Sequence, residues 1–312
     1  MIEFFKPEKN NEGKVSHEEE KLSRREFLKR GMALGAAGIL EWYAPLEEKR
    51  ALSKEVKAGD SWLGGLKALH DDALFANDES IALYRKNKDG IGSWAHYTEG
   101  RTPILFSEDV FREELGKKPK EIKLVHTHPI AQFSSYEIFS SELMTNIRDG
   151  KQAPPSMPPS IEDIFSDIES NTIVQKHEDT VFVSGVIDPR GLWEFSRDEN
   201  HEFVKLASFL YKAMRFVENP TIIALLKSGN LNLLSKKEQA YIEKAYETEK
   251  ILYEKYTDAL VRLQNAGNQF VKRSLGGETP DMDPLLKVYA DVGYVVSFKT
   301  VEELKTVEEG EG

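Results

Sequence analysis

The sequence predicts an α/β (α+β) protein, a β-sheet flanked by helices, with a C-terminal helical segment. Three observations predict it. Short apolar runs bounded by turn residues recur between residues 80 and 195, as strands do. A helical stretch at Glu162–Ser170 separates two groups of these runs. Between residues 198 and 275 the apolar residues change to the i, i+3, i+4 spacing of amphipathic helices.

The elements follow in order. Ser80-Ile-Ala-Leu-Tyr84 and Ser93-Trp-Ala-His-Tyr97, joined by Lys88-Asp89-Gly90, predict a hairpin. Ile122-Lys-Leu-Val125 predicts a strand, and Ser160 with an acidic residue three positions on predicts the start of the next helix. Thr180–Ile187 and Gly191–Phe195 predict a second hairpin around Asp188-Pro-Arg-Gly191. Phe203, Leu206, Ala207, Leu210 and Met214 then share one helical face. A shorter helix from Thr221 to Lys227 ends at Ser228-Gly229-Asn230. A long one starts at Ser235, with Glu238 completing a capping box, and runs to Leu275. Its apolar positions (Ala245, Leu252, Tyr256, Leu260, Leu263) alternate with dense charge, the pattern of a helical cover over a core rather than of a partner-docking platform. Val288–Phe298, with a glycine inside it, reads as a strand that returns to the edge of the main sheet. The organisation is therefore a leader and linker at 1–53, a main domain at 54–197, a helical region with a final strand at 198–300, and an acidic tail at 301–312.

The chemistry concentrates in His126-Thr127-His128-Pro129 and Ser160-Ile161-Glu162-Asp163. Alternate residues leaving a strand project from one face, so two imidazoles at i, i+2 can meet at one ion. Asp163 at a helix start supplies a third ligand, and three ligands with one open position suit a catalytic metal. The pattern resembles the JAB/MPN/JAMM metallopeptidase domain, whose signature is a glutamate, then His-x-His-Pro, then Ser-x-x-Asp. The order of strand, histidines, helix and closing hairpin over residues 70–196 is also similar to that family. The resemblance implies a mixed sheet, with Zn²⁺ held by His126, His128 and Asp163. It also implies Glu79 as general base and Ser160 as hydrogen-bond donor to the oxyanion. Asp78 and Glu99 are weaker candidates for the glutamate. The chain departs from the compact members in one respect. They have a short connection between histidine and aspartate, whereas here residues 129–162 intervene and insert the segment 130–159 with Ala153-Pro-Pro-Ser-Met-Pro-Pro159 at its end. Loops of this length without obvious structure serve as lids, binding loops or disordered segments, and their length costs little closure entropy. The remaining histidines, His17, His70, His96, His177 and His201, show no metal-like spacing and read as surface or locally hydrogen-bonded side chains.

Ser23-Arg24-Arg25-Glu26-Phe27-Leu28-Lys29, followed by the mildly apolar Gly31–Leu40, resembles a twin-arginine export signal. That run is far shorter than the roughly 20 residues a bilayer-spanning helix needs. Neither Tyr43-Ala44-Pro45 nor Ala51-Leu52-Ser53 makes a clear cleavage site, and an uncleaved signal segment would be the protein's one attachment to a membrane. The chain has no cysteine, so it uses no disulfide in an oxidising compartment. A net charge of −11 argues against nucleic acid as a partner. The expected function is that of a periplasmic or otherwise exported zinc hydrolase cutting a peptide or isopeptide bond in a peptide or protein substrate. The alternative is a catalytically silent binding or scaffold module of the same fold.

Overall fold

The computed structural model describes residues 61–76, 79–99, 108–131, 140–175, 179–217, 219–228, 231–275 and 280–304. The twin-arginine segment, Asp78, His17, His177 and the acidic tail beyond residue 304 lie outside them. Among the described residues no helix is long and apolar enough to cross a membrane.

The first helix among the described residues, α1 (Trp62–Phe75), is capped by Ser61 and leads into the hairpin β1 (Ser80–Lys86) and β2 (Gly92–Glu99). Gly90 turns the hairpin at φ +88°, where a side chain would be strained, and Asp89 Oδ1 accepts the Ile91 N–H at 3.0 Å. Next come α2 (Glu108–Gly116), β3 (Glu121–Thr127), α3 (Ser141–Arg148) and α4 (Ile161–Val174). A second hairpin follows, β4 (Val181–Asp188) and β5 (Gly191–Arg197). The chain then leaves the sheet for α5 (Glu202–Val217), α6 (Pro220–Ser228) and α7 (Lys236–Leu275), and returns through α8 (Asp283–Ala290) and β6 (Tyr294–Thr300).

The six strands form one mixed sheet in the order β2-β1-β3-β4-β5-β6. β3 and β4 run parallel and every other neighbouring pair runs antiparallel. A parallel pair needs a long crossover, and the chain from His128 through α3 and α4 supplies it. Helices cover both faces, giving three layers. On one face Ile81, Leu83, Ile122 and Phe182 pack with Phe111 and Leu115 of α2. The same face continues as Val186, Trp193 and Phe195, which pack with Ile164 and Ile168 of α4 and with α5, α7 and α8. On the other face Leu66, Leu69 and Ala73 of α1 cover Ala82, Tyr84, Val125, Ile187 and Leu192.

Two expectations change. Val288-Tyr289-Ala290 belongs to helix α8, not to the final strand. Pro284 opens that helix, Leu285 and Tyr289 bury one face of it, and Gly293 at φ +78° ends it, so the strand begins only at Tyr294. The insertion 130–159 is not a bare loop over its described part. It holds α3 and ends in a buried stretch, Pro155 to Pro159. The predicted return of β6 to the sheet is observed, on β5, so helices α5 to α8 are inserted between two neighbouring strands and share a core with them. The capping box at the start of α7 is present, with Ser235 N–H on Glu238 Oε2 at 2.7 Å and Glu238 N–H on Ser235 Oγ at 3.3 Å.

Candidate metal centre

The face of the sheet that carries α4 also carries His126, next to the last residue of β3. Ile81 of β1 and Val186 of β4 flank His126 in the sheet, so its position is fixed from both sides. Thr127 points the other way and its Oγ1 accepts the Ser80 N–H at 2.8 Å, which pins the start of β1 to the end of β3. His128 has left the strand but its N–H still reaches Ile187 O at 2.9 Å, continuing the ladder by one step. Pro129 and Ile130 behind it are buried.

Helix α4 brings the carboxylate. Ser160 is its N-cap, with Oγ accepting the Asp163 N–H at 3.2 Å, while Asp163 Oδ2 accepts the Ser160 N–H at 2.5 Å. This reciprocal box fixes the Asp163 rotamer and directs the carboxylate at the histidines. Oδ1 lies 2.8 Å from His126 Nε2, Oδ2 lies 3.4 Å from His128 Nε2, and the two Nε2 atoms are 3.3 Å apart. These three residues form a group able to hold a metal ion, with all ligand atoms within 4.8 Å of one another.

The same contacts favour a protonated His128. Burial works against a charged His128, but the Asp163 charge and hydrogen bond outweigh it, with smaller help from Glu79 and Asp188, and raise its pKa to about 9. For Asp163 burial again opposes the charged form, and the two histidines hold the carboxyl well below its usual range. A site that collects positive charge in this way is one a divalent cation can enter by displacing the proton.

Of the residues marked by the sequence, His126, His128 and Asp163 converge, Ser160 caps the helix that carries Asp163, and Glu79 is close enough for its charge to act on His128. Glu79 is half-buried and stands immediately before β1. Glu99 pairs through its backbone with Ser80. Two further residues belong to the surroundings and were not marked. Asp188, at the end of β4, is fully buried and its charge also acts on His128. Tyr289 donates its hydroxyl to Pro159 O. Burial, and then the nearby Asp163 charge, push that hydroxyl's pKa well above its usual value. Nothing in Asp188-Pro-Arg-Gly191 beyond a turn signal, and nothing around Tyr289, announces such a place. Away from the centre, His201 Nδ1 accepts the Phe203 N–H at 3.3 Å, the local bonding expected of it, while His70 Nε2 lies 3.0 Å from Pro189 O on the distant β4–β5 turn. No protein-family model matches the chain, and no curated protein or solved structure matches it, so the centre is defined by its own geometry.

Proposed function

We propose that the protein is a zinc-dependent hydrolase of the JAMM type, cutting a peptide or isopeptide bond in a peptide or protein substrate after twin-arginine export. The observation that carries this reading is the convergence of His126, His128 and Asp163 from opposite ends of a long crossover. Zinc bound by nitrogen and oxygen at about 2.0–2.1 Å in a tetrahedron sets neighbouring ligand atoms about 3.3 Å apart. The 3.3 Å between the two Nε2 atoms matches that edge, and Asp163 presents an oxygen to each histidine, Oδ1 at 2.8 Å from His126 and Oδ2 at 3.4 Å from His128. Three ligands leave a fourth position for chemistry.

Zinc, when bound, supplies a Lewis acid that acidifies water and polarises a carbonyl. The chain's own groups do the rest. His126 and His128 present Nε2, held by the strand end and by Ile187 O. Glu79 takes the proton of the attacking water on its carboxylate and returns it to the leaving amine. Ser160 accepts a hydrogen bond from the Asp163 N–H, which leaves its own hydroxyl proton available for the oxyanion. The Asp163–Ser160 box keeps that hydroxyl beside the third ligand throughout.

The test is metal content of protein folded in the cytoplasm. About one zinc per chain, lost in His126→Ala/His128→Ala and in Asp163→Ala, is the expected result. Glu79→Gln should then keep its zinc while hydrolysis of peptide libraries disappears. A wild-type chain that folds but takes up no zinc would leave the binding-module alternative in its place.

A further inference from the structure

The ligands come from two chain segments far apart in sequence, yet both are tied to neighbouring residues of β4. Ile187 O accepts the His128 N–H. Asp188, next in the chain and 0 % exposed, holds the other segment. Its Oδ2 accepts Ser156 Oγ at 2.7 Å, Met157 N–H at 2.6 Å and Trp193 Nε1–H at 2.8 Å. Its Oδ1 accepts the N–H groups of Arg190 at 2.7 Å and Gly191 at 2.9 Å. The bonds to Arg190 and Gly191 belong to any Asp-led turn. Those to Ser156 and Met157 do not serve the turn. They draw in the returning end of the 130–159 insertion.

That end is a stiff strap. From Met157 only Pro158 and Pro159, each with φ locked by its ring, separate the anchor from Ser160 and the start of α4. Tyr289 holds the Pro159 carbonyl, and Ser274 Oγ accepts the Ser156 N–H at 3.0 Å. Arg190 extends the same knot, its Nε on Pro154 O at 2.5 Å and its Nη2 on Ser274 O at 2.7 Å. A slack connection of this length would have to be ordered whenever an ion bound, whereas a strap fixed in advance spares that cost.

We propose that Asp188 is a positioning residue of the metal centre: its buried carboxylate anchors the Ser156–Pro159 strap to β4 and thereby sets where α4 presents Asp163 to His126 and His128. The proposal rests on the metal reading above but not on catalysis. Residues that orient ligands from behind typically change metal affinity 10–100-fold when replaced.

The experiment measures zinc affinity of the full chain by competition with a chromophoric chelator, with a melting curve on every sample. Asp188→Asn should bind zinc roughly 10–100-fold more weakly. Ser156→Ala, which removes one donor and buries no new charge, should lose several-fold. Leu260→Ala, a core change in α7, should melt earlier with unchanged affinity. Wild-type affinity in a folded Asp188→Asn overturns the proposal, and so does a loss no larger than that of an equally destabilised Leu260→Ala. If Asp188→Asn does not fold, Ser156→Ala decides in the same terms. A wild-type chain without zinc affinity overturns the metal reading itself, and the positioning role with it.

Discussion

Two polar clusters lie under α4, one helical turn apart, and they are built on opposite plans. Asp167 has no exposed side chain and is met from three strands, by Ser184 Oγ at 2.5 Å, Arg197 Nη1 at 2.7 Å and Tyr294 OH at 2.8 Å. Its charge is matched by a guanidinium within the protein. Asp163, four residues earlier, faces two imidazoles, and its charge pushes His128 toward the protonated form. One cluster is closed and the other is open toward a cation. The closed cluster holds α4 on the sheet, and the open one uses the helix so held to offer a ligand.

The largest expected effect follows from breaking the closed cluster. Asp167→Asn leaves Arg197, whose side chain is only 6 % exposed, with the half-exposed Glu199 as its remaining counter-charge. Removing one partner of a buried pair typically costs about 3–5 kcal/mol. Urea denaturation should show that loss both with zinc and with a chelator present. A loss below about 1 kcal/mol would mean that water or Glu199, which also bonds Arg197 at 2.7 Å, compensates.

The open cluster should behave in the opposite way, gaining from an ion rather than losing from a substitution. Free zinc at about 100 times its dissociation constant should stabilise the wild type by about 2.7 kcal/mol. His126→Ala/His128→Ala should show none of this gain, because two of the three ligands are gone. Thermal melts of both proteins with and without zinc make the measurement. Equal shifts would place the ion elsewhere.

How much of this was legible beforehand differs between the two clusters. His126 and His128 could be found because strand alternation is local, and Ser160 with Asp163 because a capping box spans only three residues. Hairpins, α4 and the long α7 were legible for the same reason. Asp167 was not, since its partners Ser184, Arg197 and Tyr294 come from strands that only the sheet order brings together. Asp188 read as a turn residue because three of its five donors, Arg190, Gly191 and Trp193, are local, while those that give it meaning, Ser156 and Met157, arrive from the insertion. In α8 the composition misled: Val288, Tyr289 and Ala290 run into the true strand, and only the packing of Leu285 and Tyr289 on one side declares a helix.

The two clusters also separate by pH. In chelator, His128 has its pKa raised from 6.5 to about 9 by Asp163, against the pull of burial. A raised base contributes stability that is full below the unfolded pKa of about 6.5 and vanishes as the pH passes about 9. Asp163 is lowered by the same contacts, so its contribution is full above about 4 and is lost in acid. The metal-free protein should therefore weaken between about pH 6.5 and 9, and His128→Ala should flatten that limb. Zinc reverses it, because ligation needs the neutral imidazole and grows stronger as protons leave. Urea midpoints at several pH values, in chelator and in zinc, give both curves. A metal-free midpoint that does not fall toward pH 9 would show that Asp163 does not hold the proton on His128.

The smallest effect on stability separates the two duties of Ser160. As N-cap it accepts the Asp163 N–H at 3.2 Å, and its loss in Ser160→Ala should cost about 1 kcal/mol. The proposed oxyanion contact uses the hydroxyl proton, which the cap does not, and its loss should lower kcat about 10²–10³-fold. Ser160→Thr keeps both groups and should restore both quantities, while Ser160→Asp keeps the acceptor but removes the donor. If Ser160→Asp recovers stability without activity, the hydroxyl acts on the substrate. If stability and activity move together through all three variants, Ser160 works only by holding Asp163 in place, and the open cluster depends on its cap as α4 depends on Asp167.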